Sequence, residues 1–245
     1  MIKNIIKLLF LISSILISNV GCASMKLSEP EVYFSGGQLQ LAQAIKEGNI
    51  KEVEAFSSNV NLNKPGGEDM TILVYSLLVA SNNDTKTGFD IISLLVKVGA
   101  DPLFNIPNYG SAAEVMATSD DPRYLKALID GGLDKDAVSN YRPLIINATS
   151  HHSRKVLEYL VDIGADVNKP DSAGKTALMV GLGRYDLDEV IFLLNHDANP
   201  NVKNKAGWGF REMLQKKIEK GDNEITIEKL FEIKRLAENK GMKAF

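Results

Sequence analysis

"VDIGADVNKPDSAGKTALM", Val161 to Met179, decides how this chain is read. It holds a Gly-Ala-Asp-Val-Asn turn followed by a Thr-Ala-Leu, and the question is whether the turn is single or one copy of many. Copies are present. "VKVGADPLF" runs from Val96 to Phe104, "IDGGLDKDA" from Ile129 to Ala137 and "LNHDANPNV" from Leu194 to Val202; a degenerate copy, "SSNVNLN", ends at Asn63. The last slot of the motif falls at Asn63, Leu103, Asp136, Asn168 and Asn201, at intervals of 40, 33, 32 and 33. An apolar helical patch precedes each turn ("IISLLVK", "YLKALID", "VLEYLVD", "VIFLLNH") and a helix start follows it ("MTILVYSLL", "GSAAEVMA", "RPLIINAT", "KTALMVGL"). A fixed period of this length is the mark of a repeat architecture.

The residue types fit helix, turn and helix on physical grounds. Gly99, Gly132 and Gly164 stand where a helix ends, and glycine enters the left-handed conformation there without steric cost. Asp197 takes the same slot, and Asp is a tolerated substitute. Thr71 and Thr176 are placed to cap a following helix, and Pro143 suits a first helical turn. Ala148 and Gly181 are small where neighbouring copies must approach. "VGLGR", Val180 to Arg184, therefore reads as close packing. A phosphate loop would need a preceding strand.

Gly164-Ala165-Asp166-Val167-Asn168 with Gly174-Lys175-Thr176-Ala177-Leu178, and less closely Arg142-Pro143-Leu144 with Gly99-Ala100-Asp101, resemble the ankyrin repeat. The resemblance covers about Gln38 to Phe210 and implies an all-α solenoid of five to six helix-turn-helix repeats with hairpin fingertips. The family's His after Thr-Pro-Leu is absent; Val74, Ile145 and Met179 stand there. The second copy is too long, with its excess in Ser81 to Phe89, and Gly209 replaces the capping Thr of a sixth copy. Two charged amphipathic helices are expected over Phe210 to Lys220 and Ile225 to Lys240, with a break at Gly221-Asp222-Asn223. A solenoid exposes its core at each end unless a cap covers it. The expected organisation is thus a signal peptide over 1–21, a tether over 22–34, repeats over 35–203, and a degenerate repeat with a helical cap over 204–245. A coiled-coil partner helix is the alternative for the last segment.

The start of the chain has its own logic. Lys3 and Lys7 precede a mostly apolar run from Leu8 to Ile17, then small residues, which is the layout of a secretory signal. The run falls short of the roughly 20 apolar residues of a membrane span. Cys22, the one cysteine, follows Val20 and Gly21 and resembles the acylated cysteine of a bacterial lipoprotein, although Asn19 stands where a Leu is usual. Ordinary cleavage near Ala23 or Ser24 is the other outcome. A lipoprotein signal implies a periplasmic address, and Ala23-Ser24 after the cysteine leans toward the outer membrane.

Net charge is −3, with both signs interspersed, so no basic stripe points to nucleic acid. His151 and His152 fall in a turn with diverging side chains, and His196 lies at a helix end. No nucleophile elbow or zinc-protease helix occurs. We expect no catalytic residues, metal or cofactor, and a monomer when free. What remains is a surface, in which partners meet the fingertips and the first helices. The candidate contacts are Glu68, Met70, Asn108, Tyr109, Tyr141, Arg142, Lys175, Arg184 and Trp208, with Tyr185 beside them at a helix end. Aromatic and Arg side chains most often dominate an interface. A secreted, lipid-anchored ankyrin protein is similar to the immunity lipoproteins of type VI secretion systems, which neutralise phospholipase toxins. That similarity implies occlusion of such a toxin. An envelope scaffold and a host-directed effector are the alternatives.

Overall fold

In a computed structural model, the structure describes residues 27–107, 109–149, 153–221 and 224–245. The signal, Cys22, Asn108, His151 and His152 lie outside the described residues. The chain divides into two compact units, the first ending at Asp134 and the second running from Lys135 to Phe245.

The first unit follows a 3-10 turn, Pro30–Val32, with helices α1 (Gly36–Glu47), α2 (Ile50–Ser57), α3 (Ile72–Asn83), α4 (Lys86–Lys97), α5 (Ala112–Ala117) and α6 (Pro122–Asp130). Helices pair within a repeat, α1 with α2, α3 with α4 and α5 with α6. They stack between repeats like on like, α1 on α3, α2 on α4 and α4 on α6. That arrangement explains the two kinds of hydrophobic pattern. α3 is enclosed, with Ile72, Leu73, Tyr75, Ser76, Leu77, Leu78, Val79 and Ala80 all buried. α6 is amphipathic and buries Tyr124, Leu125, Ala127 and Leu128 on one stripe. The excess residues of the second copy lengthen α3 and α4 to 12 residues each. Their junction is held to α6, where Arg123 meets Asp84 at 2.8 Å and lies over the Phe89 ring at 4.9 Å.

The second unit opens with a two-residue hairpin, β1 (Val138–Ser139) and β2 (Arg142–Pro143), then α7 (Leu144–Asn147), α8 (Arg154–Asp162), α9 (Ala177–Arg184), α10 (Leu187–Asn195), α11 (Phe210–Lys220) and α12 (Glu224–Asn239). α9 packs on α7, α10 and α11, and α12 closes over α10 and α11. Phe210, Leu214, Leu230, Ile233 and Ala237 are fully buried in that closing layer. Gly181 is the close approach of α9: a Cβ there would sit 3.1 Å from Thr149 Cγ2 and from Val190 Cγ2.

The structure gives the motif's last slot a physical reason. Asn63 accepts the Asp101 N–H at 2.7 Å and donates to the Gly99 carbonyl at 3.0 Å. Asp136 accepts the Asp166 N–H at 2.7 Å, and Asn168 accepts that of Asn199 at 2.7 Å. Each slot residue clasps the turn of the next copy. Leu103, in the same slot, has no polar group to do so. One capping expectation fails. Thr71 accepts the Val74 N–H at 3.2 Å, whereas Thr176 makes no cap bond and its buried hydroxyl has no partner among the described residues.

Candidate functional site

The fingertips of the second unit are built from three consecutive loops. In two of them three residues are spanned: Asp171 pairs with Lys175, and Asn204 with Trp208. The last loop residue is Gly174 (φ 80°) in one and Gly207 (φ 80°) in the other. The first hairpin of this unit is one residue shorter. Ser139 pairs with Arg142 directly, leaving Asn140 (φ 53°) and Tyr141 (φ 66°) as the turn. Two positive φ values define a type I′ turn, whose usual sequence is Asn-Gly. Tyr141 therefore takes the glycine position with a bulky side chain that is 77% exposed. A left-handed non-glycine residue costs about 1–2 kcal/mol. Shortening the loop by one residue forces this turn type, because it matches the twist of the flanking strands.

The closing residues of the three loops, Arg142, Lys175 and Trp208, occupy equivalent slots. The loops are tied in a row: the Ser172 N–H donates to the Tyr141 carbonyl at 3.0 Å, and the Lys205 N–H to that of Ala173 at 2.9 Å. Trp208 is 43% exposed, and Lys216 of α11 places its ammonium 4.3 Å from the indole centroid.

A second cluster lies at the C-terminal end of α9. Tyr185 is its left-handed cap (φ 65°) and is 39% exposed. The corresponding ends of α1 and α3 are Gly48 (φ 72°) and Asp84 (φ 45°). Lys217 sits 3.1 Å from the Tyr185 ring centroid, and Arg184 donates to the Thr149 carbonyl at 3.2 Å. Gly183, one residue before Arg184, is open: a Cβ there would meet only Met213 Cε at 3.9 Å.

Carboxylates in these segments are turned inward. Asp171 accepts the N–H groups of Ala173 and Lys175 at 2.9 and 2.8 Å. Glu212 accepts the Gly209 N–H at 3.0 Å and replaces the missing Thr as the clasp of α11. Its own backbone amide, then that of Gly209 with Lys203 and Arg211 nearby, outweighs burial and holds its carboxyl below the usual carboxylate range.

The sequence-derived candidates divide accordingly. Tyr141, Arg142, Lys175, Arg184 and Trp208 all belong to the second unit. Lys175 and Arg184 are exposed, and Arg142 is half-buried. In the first unit Glu68 is exposed at φ 57° and Tyr109 is half-buried. Met70 requires correction as a contact: its side chain is 1% exposed. The turn Gly67–Asp69 folds it inward, where a thioether gains more from packing than from water. Lys216 and Lys217 were not legible as site residues, because nothing in an alternating charged helix marks the two lysines that reach back to earlier aromatics. Among the described residues no group of three or more His, Cys, Asp and Glu could hold a metal ion. No described helix is long and apolar enough to cross a membrane.

Comparison with known proteins agrees with this construction. The family model for ankyrin repeats, three copies, matches residues 113–204. A putative ankyrin repeat-containing protein of Treponema pallidum is 35% identical over 82 residues, 33% of this chain and 28% of that protein. Protein PhlB of Serratia liquefaciens is 27% identical over 143 residues, 57% of this chain and 60% of that one. The chain spans less than a third of the length of the first curated relatives it matches. Among solved structures, the ankyrin repeat domain of Bcl-3 aligns over 83% of this chain and 86% of its own, with a TM-score of 0.62 at 23% identity. The period, the stacking of like helices and these matches together give the chain an all-α ankyrin-repeat solenoid fold.

Proposed function

We propose that this protein-binding module acts as an inhibitor that covers a secreted phospholipase toxin. The observation that supports this reading is the row of half-buried Arg142 with exposed Lys175 and Trp208 on consecutive fingertips, a surface suited to a protein. Occlusion needs only adhesion. Aromatic and Arg anchors at the centre of a contact area supply most of its affinity. The proposed address is the periplasm, with Cys22 acylated and the chain held at the outer membrane. A tether raises the inhibitor's effective concentration where such a toxin reaches lipid.

The test is co-expression. A candidate phospholipase is exported to the periplasm with and without this chain, and survival and phospholipid hydrolysis are measured. Protection, with loss of hydrolysis in a purified mixture, supports the inhibitor. Equal killing in both strains sinks it. Recovery of a resident envelope protein as a stoichiometric complex would place the chain among scaffolds instead. Intact-mass measurement of membrane-extracted protein checks the acylation of Cys22.

A further inference from the structure

The protein-partner reading leaves open what chemistry the partner presents, and the second unit carries observations on that point. Two columns of cationic and aromatic groups flank the first helices of its repeats. One follows the closing fingertip residues Arg142, Lys175 and Trp208, with Lys216 set over the indole. The other is the end of α9, where Arg184 and Tyr185 meet Lys217. α9 has eight residues, so the columns stand on the order of 12 Å apart. None of Arg142, Lys175, Arg184, Lys216 and Lys217 forms an ion pair with another described residue. Of the nearby carboxylates, Asp171 and Glu212 are committed to backbone amides, and Asp186, next to Tyr185, is buried.

Two further features set this face apart from a merely solvated one. Tyr141 and Tyr185 both hold left-handed conformations where other copies of the repeat use Gly174, Gly207, Gly48 or Asp84. Strain of this kind persists only where the surroundings enforce it, and it concentrates at binding sites. In addition, two lysines rest on exposed rings, which fixes their ammonium groups before any ligand arrives. A pre-positioned cation loses less freedom on meeting a carboxylate.

We infer that this face docks an acidic segment of the protein partner: Asp and Glu side chains against the two cationic columns, with an apolar side chain between Tyr141, Tyr185 and Trp208. The inference rests on the protein-binding reading and goes beyond it by naming the partner's chemistry. Charge complementarity carries it, because the cationic face is local on a chain whose net charge is −3. Long polyanions such as nucleic acid meet the repulsive field of the whole chain, whereas a short acidic segment meets only the face.

The experiment uses the full chain and a fluorescein-labelled Glu/Asp-rich peptide with one central phenylalanine, read by fluorescence anisotropy. Salt-dependent binding is expected, with loss when the acids are replaced by Gln and Asn. The pair K216E and K217E should weaken it by roughly tenfold or more, while K64E in the first unit leaves it unchanged. Tyr141→Gly and Tyr185→Gly should each raise the melting temperature and still weaken binding. That opposite movement excludes unfolding as the cause. The inference is overturned by equal binding of the neutral peptide or by an effect of K64E as large as that of the pair. It is equally overturned if phosphatidylglycerol vesicles or oligo-dT bind in place of the peptide, or if the glycine variants bind at full strength. Failure of toxin protection would remove the inhibitor reading and leave this surface standing. Failure of peptide binding beside intact protection would do the reverse.

Discussion

The two units treat the starts of their helices differently. In the first, α2 to α6 each begin with a side chain that accepts a backbone amide: Asn49, Thr71, Thr85, Ser111 and Asp121. In the second, Pro143, Ser153, Thr176 and Asp186, which precede α7 to α10, accept none there. A cap contributes about 1 kcal/mol. Both units hold non-glycine residues in left-handed conformations, Glu68, Asp69 and Asp84 in the first, but only in the second are aromatic ones, Tyr141 and Tyr185, held so. The first unit caps the starts of α2 to α6 with side chains, whereas α7 to α10 lack such caps and the second unit's loop residues Asp136, Asn168 and Asp171 bind turn amides instead. The difference teaches that copies of one fold divide labour through residues outside the core, since both units bury the same kinds of apolar side chain.

The largest effect expected from this comparison lies in α9. Gly181→Leu forces a side chain against Thr149 and Val190, and overpacking of this kind costs about 1–3 kcal/mol. Gly183→Ala, two residues on, meets open space and should stabilise by about 0.5–1 kcal/mol through helix propensity. Urea denaturation separates the two. A similar response at both positions would mean that α9 does not approach α7 closely.

Relief of strain comes next. Tyr141→Gly should raise stability by about 1 kcal/mol, because glycine takes the second position of a type I′ turn freely. The same change at Lys175, whose φ is not left-handed, has no strain to relieve. Thermal melts of both variants test this, and a loss of stability in Tyr141→Gly would show that the ring is held by packing.

The caps sharpen the contrast directly. Thr71→Ala removes a bond to the Val74 amide and should cost about 1 kcal/mol. Thr176→Ala removes a buried hydroxyl that has no described partner and should be neutral or mildly stabilising. Equal losses in the two melts would erase the distinction between the units.

The repeat period was legible because it rests on residues with a local duty: the left-handed glycines Gly99, Gly132 and Gly164, and the clasping Asn63, Asp136 and Asn168. The helical break after Lys220 was legible for the same reason, since Gly221 must be left-handed there. What could not be read depends on distance through space. Thr71 and Thr176 look alike in sequence and share an extended backbone, yet only Thr71 bonds. Met70 and Trp208 hold equivalent fingertip positions, and only packing puts one inside and one out. The meeting of Lys217 with Tyr185 spans a whole repeat. Side chains of the site follow from tertiary placement, while those of the fold follow from backbone geometry.

The smallest predicted effect concerns the one clasp among α7 to α11, Glu212. Its carboxylate accepts the Gly209 amide, and its folded pKa lies below the unfolded value of about 4.3. Because the folded group binds protons less readily than the unfolded one, its contribution is fully present above about pH 4.3 and drains away as pH falls through the folded value. A carboxylate at a helix start contributes about 0.3–1 kcal/mol. Glu212→Gln keeps an acceptor oxygen but loses the charge. Its stability should therefore fall below the parent's by part of that amount near neutral pH and converge with it in acid. Guanidinium titrations at neutral and acid pH measure the gap. A constant gap would mean that the amide geometry alone, and not the ionised carboxylate, secures the start of α11.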